Sequence, residues 1–271
     1  MGNSDVYIPK DSEISIENAI QPIVTFKLFV EGEKSESNYF RALEDFIGCE
    51  FIEIISIPRE RGARNSQLIK NARDAYDAEL LCVGDENSET ISNDLSQIWI
   101  LFDIEGENCS KSKNDKALIF LPQVTSKIPQ IKAALSNPCF EYWVLLHLID
   151  DDNKNKYIYN PKGELFDYKN NKEVVSVFKK FPGTPFHNYK KDFDFVSAKI
   201  FEEGKLKKAL TIAKEIKSFY RIKKSISENL PKEELYKLRP FTDVDELINQ
   251  ICLVSVQPRP YIQFKEKSKK T

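Results

Sequence analysis

The sequence predicts an α/β fold, in which a parallel, Rossmann-like sheet is flanked by helices and followed by a mostly helical C-terminal region. Apolar, β-branched runs alternate with helix-length amphipathic patterns over the first 150 residues. The connections between these runs are long enough for right-handed crossovers between parallel strands. We therefore expect a flexible N-terminus at residues 1–19, an α/β domain at 20–150, and a helical, basic region at 151–271 that ends in a disordered tail.

The predicted strands share a near-continuous apolar character, which is typical of strands buried on both faces. They cover Ile23–Val30, Phe51–Ile57, Ile98–Phe102 and Ile131–Leu135. The apolar run Ala117–Val124 fits either a short helix or a strand, and its pattern does not separate the two.

The predicted helices begin at cap residues and place apolar side chains on one face. The first begins at Ser35 and ends at Gly48, and the second covers Ser66–Leu81. Another begins in the segment SNP, with Pro138 at its first position behind Asn137 or Ser136 as cap. The segment that starts at residue 151 is polar and predicts an insertion or interdomain loop. Helical patterns then recur at Phe195–Phe201, Lys205–Ser227 and Val244–Val254, the last behind the cap candidate Thr242.

The composition favours a folded, soluble, cytoplasmic protein. The first twenty residues contain no apolar stretch typical of a secretory signal. The longest apolar run, Phe140–Ile149, is about half the length of a membrane span. Five scattered cysteines without a CxxC pair indicate a reducing compartment.

Charge is distributed unequally along the chain. Residues 1–150 carry 14 Lys and Arg against 25 Asp and Glu, whereas residues 151–271 carry 26 against 17. The halves therefore have net charges of −11 and +9, which recover the total of −2. A basic half could meet a polyanion such as nucleic acid, although lysine-rich helices are also ordinary solvated surfaces.

Three carboxylates follow two of the predicted strands. Glu31 comes directly after the first strand, Asp103 ends the third, and Glu105 lies two residues further on. Because parallel strands end at one edge of a sheet, these acids are expected to lie together and to repel one another unless a cation neutralises them. Oxygen ligands favour Mg²⁺, with Mn²⁺ or Ca²⁺ as alternatives. Singly, each acid could instead be a helix cap or a solvated loop residue, and Gly32 would let a backbone approach a phosphate closely.

Basic side chains near these acids are candidates for contacts with phosphate, with solvated loops as the alternative. They are Lys34, Arg59, Arg61 and Arg64 near the acidic edge, and His187, Lys190 and Lys191 in a later mixed cluster with an aromatic residue. His147, in an apolar helix, is interpreted as a hydrogen-bonded core residue rather than a catalytic one.

Four motifs carry a resemblance to a known family. EGEKSESNYF, LFDIEG, SNPCFEYWVLLHL and PFTDVDELI occur in that order along the chain. The first two resemble the Toprim domain of topoisomerases, primases and OLD-type nucleases. All four together resemble the RloB-like family, a Toprim-related group of bacterial restriction and abortive-infection loci.

The resemblance implies roles for particular residues. It makes Glu31 the Toprim glutamate, a general acid or base that could also share the metal, and it makes Asp103 and Glu105 the metal-binding pair. Glu33 and Glu141 would complete the site or support it, and for Glu141 a structural role in the first turn of its helix is the alternative. Toprim motifs usually have Asp at the position of Glu105, and this difference alters the expected coordination.

The sequence and the resemblance together lead to the expectation of a Mg²⁺-dependent nuclease that cleaves DNA or RNA in bacterial antiphage defence. The resemblance also implies an ATPase partner, because such proteins are commonly encoded beside one. Two alternatives remain open, a non-catalytic Toprim-like partner subunit and nucleotidyl transfer at the same site.

Overall fold

The computed structural model describes residues 24–83, 96–104, 115–181, 198–223 and 238–256. Its strands are β1 (Val24–Val30), β2 (Ile52–Pro58), β3 (Gln97–Asp103), β4 (Ile131–Asn137) and β5 (Phe241–Thr242). Its principal helices are α1 (Ser35–Ile47), α2 (Asn65–Val83), α3 (Asp115–Thr125), α4 (Phe140–Leu148), α5 (Asp151–Tyr157), α6 (Asn171–Phe178), α7 (Lys205–Lys223) and α8 (Val244–Val256).

The five strands form one sheet in the order β2-β1-β3-β4-β5. The first four are parallel, and β5 pairs antiparallel with the end of β4. Val30 lies beside Leu101, and Asp103 lies beside Ser136, so β1, β3 and β4 end at the same edge. We call this the carboxyl edge. The predicted α/β fold with a parallel sheet and flanking helices is confirmed.

The central strands β1 and β3 are apolar because helices cover both faces of the sheet. Phe26 and Leu28 of β1 and Ile98 and Ile100 of β3 are fully buried. Lys27 interrupts the apolar sequence of β1, and it forms an ion pair with Glu79 of α2. Its charge is thereby compensated at the face where the helix packs.

Helix α4 lies at the centre of the packing, and every residue from Phe140 to His147 is buried. His147 lies 3.1 Å from the hydroxyl of Tyr39 through Nε2 and 3.2 Å from the carbonyl oxygen of Trp143 through Nδ1. Burial lowers the pKa of His147 to about 3, so the ring is neutral. These contacts agree with its interpretation as a core residue.

Three predictions about helix starts and loops were wrong. Ser35 does not cap α1, because it lies within the helix, whose cap position is Lys34. Ser136 and Asn137 do not cap α4, because both belong to β4, and the helix begins only at Phe140 behind Cys139. The amide of Asn137 instead donates to the carbonyl oxygen of Leu238 at 2.7 Å. The polar segment after residue 150 forms helix α5, because Asp150 and Asn153 make a reciprocal capping box.

The remaining predicted elements agree with the structure within a few residues at their described ends. The ambiguous run Ala117–Val124 lies within helix α3, which contains Pro122. Thr242 accepts the backbone N–H of Val244 at 3.2 Å, consistent with its predicted role at the start of α8. Among the described residues, no helix is long and apolar enough to cross a membrane.

Candidate functional site

Glu31 joins the ends of three segments at the carboxyl edge. Its Oε2 accepts the backbone N–H of Asp103 at 3.1 Å and the side-chain amide of Asn65 at 3.4 Å. Its Oε1 lies 3.1 Å from Nη2 of Arg59. The predicted proximity of Glu31 and Asp103 is therefore present, although the contact that links them runs through the backbone of Asp103.

Arg59 lies at the site, as an ion-pair partner of Glu31. Its backbone N–H donates to the carbonyl oxygen of Val30, which continues the β1–β2 pairing past Pro58. Its guanidinium also donates to the buried side chain of Asn65, at the start of α2. These contacts hold the guanidinium beside a carboxylate, so its charge compensates Glu31 in this structure.

Asp103 connects the end of β3 to the start of α4. Its Oδ1 accepts the N–H of Phe140 at 2.7 Å, which satisfies a donor that the helix itself cannot pair. Burial raises the pKa of the Asp103 carboxyl well above its ordinary value, and the neighbouring charges of Glu31, Glu141 and Glu36 raise it further. The carboxyl group is thus both a helix cap and a member of an acidic cluster.

Glu36 is a member of this cluster that the sequence analysis missed. Although charged residues are rarely buried, its exposed fraction is only 6%, and its Oε1 accepts the N–H of Gly32 at 3.2 Å. Burial, opposed by its own backbone N–H and reinforced by Glu141 and Glu31, raises its pKa to about 7. The sequence offered one signal for this residue. Glu36 lies in the first turn of α1, one residue after the predicted cap Ser35, and that turn faces the preceding loop.

Gly32 lies directly against the Glu36 carboxylate. A Cβ atom built at residue 32 would lie 2.3 Å from Oε2 of Glu36. Gly32 was predicted to let a phosphate approach the backbone closely. In this structure, the side chain of Glu36 borders that space. The glycine is needed here for close approach rather than for an unusual backbone angle.

We expect Gly32→Ala to destabilise the fold by about 0.5–1.5 kcal/mol, the usual net value of a hydrogen bond, because the added methyl group displaces the end of the Glu36 side chain from the N–H of Gly32. Urea unfolding of the single variant, of Glu36→Ala and of the double variant would measure the coupling between the two positions. The cost of the added methyl group should fall when Glu36 is truncated. An equal cost in both backgrounds would contradict the assigned contact.

Glu141 brings a fourth carboxylate to the carboxyl edge. It is 3% exposed, in the first turn of α4, and it accepts the amide of Asn171 at 2.6 Å. The neighbouring Cys139 thiol has a pKa raised well above its ordinary value by burial and by the charges of Glu141 and Asp103. Asn171 belongs to α6, so sequence reasoning had no local signal for this pair.

The other predicted site residues that the structure describes do not contribute comparable contacts. Glu33 and Lys34 are exposed, and Arg61 and Arg64 are exposed in the loop before α2. Glu105, His187, Lys190 and Lys191 lie outside the described residues. The acidic cluster of the described site therefore consists of Glu31, Glu36, Asp103 and Glu141.

The donor chemistry of this cluster suits a hard divalent cation, since every candidate ligand is a carboxylate oxygen. Within the described ranges, however, no group of three or more acidic, histidine or cysteine side chains is arranged to hold a metal. The predicted third ligand, Glu105, follows Ile104 just beyond the described end of this segment. Asp103 and Glu31 could thus provide two carboxylates of a metal site.

One comparison with known proteins finds a match. The family model described as RloB-like protein matches residues 26–251, which is most of the chain. No curated protein and no solved structure matches. The matched range includes most of β1, the acidic cluster, α4 and most of α8. This chain therefore belongs to the family of RloB-like proteins.

Proposed function

We propose that this chain is a Mg²⁺-dependent nuclease of bacterial antiphage defence, with Glu31, Asp103 and Glu105 as its metal site, on a Toprim-like domain. The observation that carries the proposal is the acidic cluster at the carboxyl edge. Burial and the neighbouring carboxylates raise the pKa of Glu36 to about 7 and that of Asp103 well above its ordinary value. A parallel sheet binds its ligands at this edge, and such a cluster of like charges favours a cation.

Acidic side chains outnumber basic ones at this site. Four carboxylates surround the end of β3, and the Arg59 guanidinium compensates Glu31 at 3.1 Å. A divalent ion bound there would neutralise further charge and would polarise a phosphodiester and its attacking water. Because Glu36 and Asp103 have raised pKa values, any proton that either carboxyl group holds would be released when the ion binds, which couples cation binding to ionisation.

The contacts of Glu31, Asp103, Glu36 and Arg59 support a role for each of them in this reaction. Asp103, with Glu105, would hold the ion from the end of β3. Glu31 would share it or accept the proton of the attacking water, and Arg59 would orient Glu31. Glu36, with a pKa of about 7, could hold or release a proton near neutral pH.

A cleavage assay tests this proposal. Matched DNA and RNA oligonucleotides and a transfer-RNA panel would be incubated with Mg²⁺, with Mn²⁺ and with chelator. We expect metal-dependent products, and we expect Glu31→Gln to lose at least about a hundredfold in rate, because Gln keeps the size but not the charge of the side chain. The exposed substitution Asp45→Asn on α1 removes the same charge away from the cluster and should leave the rate unchanged. Equal rates for Glu31→Gln and the parent chain would exclude the assigned site.

A non-catalytic binding subunit is the second candidate. It is favoured by the ion pair between Glu31 and Arg59 and by the finding that the described residues do not assemble three metal ligands. This candidate predicts no turnover with any divalent ion, together with a partner recovered by affinity purification. Metal-dependent cleavage that requires Asp103 would exclude it.

A further inference from the structure

Helix α7 has two chemically different faces. The inner face carries the buried residues Leu206, Ala209, Ile212, Ala213, Ile216 and Tyr220. The opposite side carries Lys207, Thr211, Lys214, Ser218 and Arg221, which we call the outer stripe. At about 100° per residue these five side chains fall within a sector of about 80°, and the stripe is about 21 Å long. It contains three cations and no acid.

The charges of the two faces are compensated differently. On the inner side, Lys217 lies 2.8 Å from a carboxylate oxygen of Asp245 and 3.3 Å from one of Asp243, and Glu246 also contacts it. On the outer stripe, Lys207 and Lys214 are exposed and form no ion pair with any residue the structure describes. The positive charges of these two lysines are therefore presented to solvent.

The direction of α7 links the stripe to the acidic cluster. Just before α7 begins, the ring of Phe201 packs against His147, near the end of α4. Near the other end of α7, the hydroxyl of Tyr220 donates to the carbonyl oxygen of Pro240 at 3.1 Å. Pro240 precedes Phe241, which pairs with Asn137 at the end of β4. The helix thus runs antiparallel to α4, and Arg221 lies at its end near the carboxyl edge.

We propose that the outer stripe of α7 binds the phosphate backbone of a nucleic-acid strand and directs it toward the carboxyl edge. Lys207, Lys214 and Arg221 are seven residues apart, which spaces them by about 10.5 Å along the helix axis. This interval corresponds to about three nucleotide steps of 3.4 Å along a stacked strand, so each cation meets a separate phosphate. The role of the stripe in cleavage rests on the proposed nuclease function, whereas its binding of nucleic acid can be measured without cleavage.

The test is equilibrium binding of fluorescently labelled, 20-nucleotide single-stranded DNA and RNA, followed by anisotropy in chelator with Asp103→Asn as the parent. We expect Lys207→Ala/Lys214→Ala to weaken binding by about tenfold or more at 0.1 M salt. The slope of log affinity against log salt should become shallower by about 1.4, because each lost phosphate contact on a single strand contributes about 0.7. Circular dichroism would check that α7 remains folded.

A matched control distinguishes the loss of a specific binding surface from the effect of a simple change in net charge. Lys70→Ala/Lys162→Ala removes the same charge from two exposed lysines, one on α2 and one in the loop after α5. Its affinity and salt slope should stay close to those of the parent. Equal losses in both double variants, an unchanged Lys207→Ala/Lys214→Ala variant, or a parent that does not bind either oligonucleotide would each overturn the proposal.

The same variants distinguish failure of the proposed binding surface from failure of the proposed nuclease function. The stripe variant could bind like the parent while cleavage by the native chain requires Asp103. In that case the proposed binding surface is wrong and the proposed catalytic site is supported. The stripe variant could instead lose binding while the native chain shows no metal-dependent cleavage. In that case the proposed binding surface is supported and the proposed nuclease function is wrong.

Discussion

Asp103→Asn is expected to lower the rate of metal-dependent cleavage by about a hundredfold or more while leaving the chain folded. Mutations of groups that merely orient metal ligands commonly cost about ten- to a hundredfold, so loss of a ligand charge should cost at least the upper value. Asn retains an oxygen that can accept the N–H of Phe140, a contact of 2.7 Å in this structure. The cap of α4 is thus preserved, and only the charge is removed.

Asp103→Ala separates the two roles of this carboxylate. It removes both the charge and the acceptor for Phe140, so we expect it to be less stable than Asp103→Asn by about 0.5–2 kcal/mol, the usual value of a helix cap. Urea unfolding and initial cleavage rates would be measured on both variants and on Asp45→Asn. Both Asp103 variants should lose about a hundredfold or more in cleavage rate, and only Asp103→Ala should lose the cap. Substantial activity in folded Asp103→Asn would remove Asp103 from the reaction.

The fold and the main acids of the site could be predicted because both depend on local patterns. Apolar runs identified the parallel strands, and the rule that such strands end together placed Glu31 near Asp103. Family resemblance added Glu141, whose helix was recognised from its apolar sequence. These predictions required only the order of the helices and strands along the chain and the positions at which the strands end.

The remaining contacts depend on distant parts of the chain. The cap of α4 is Asp103, 37 residues before Phe140, and sequence reasoning had placed it locally at Ser136 or Asn137. Arg59 was predicted to contact phosphate, whereas its loop turns the guanidinium onto Glu31. Asn65 and Asn171 contact acids 34 and 30 residues away. None of these pairs produces a periodic pattern in the sequence, because each contact arises from the packing of elements that are distant along the chain.

Glu36 also changes how the stability of the fold should depend on pH. Burial raises its folded-state pKa from 4.5 to about 7, so the unfolded chain releases this proton first as the pH rises. The stability that the neutral form provides is therefore complete below about pH 4.5 and is lost by about pH 7. A pKa change of this size corresponds to about 3 kcal/mol between the two protonation states.

We therefore expect Glu36→Gln to become more stable than the parent chain as the pH increases. Gln can still accept the N–H of Gly32, but it has no proton to lose, so its advantage in the free energy of unfolding should grow by about 2–3 kcal/mol between pH 5 and pH 8. Urea unfolding in metal-free buffer at several pH values would measure this difference. Glu50→Gln, an exposed change just after α1, should track the parent at every pH. A constant difference between Glu36→Gln and the parent would show that Glu36 ionises as freely in the fold as in the unfolded chain, and its assigned role in proton transfer near neutral pH would then be wrong.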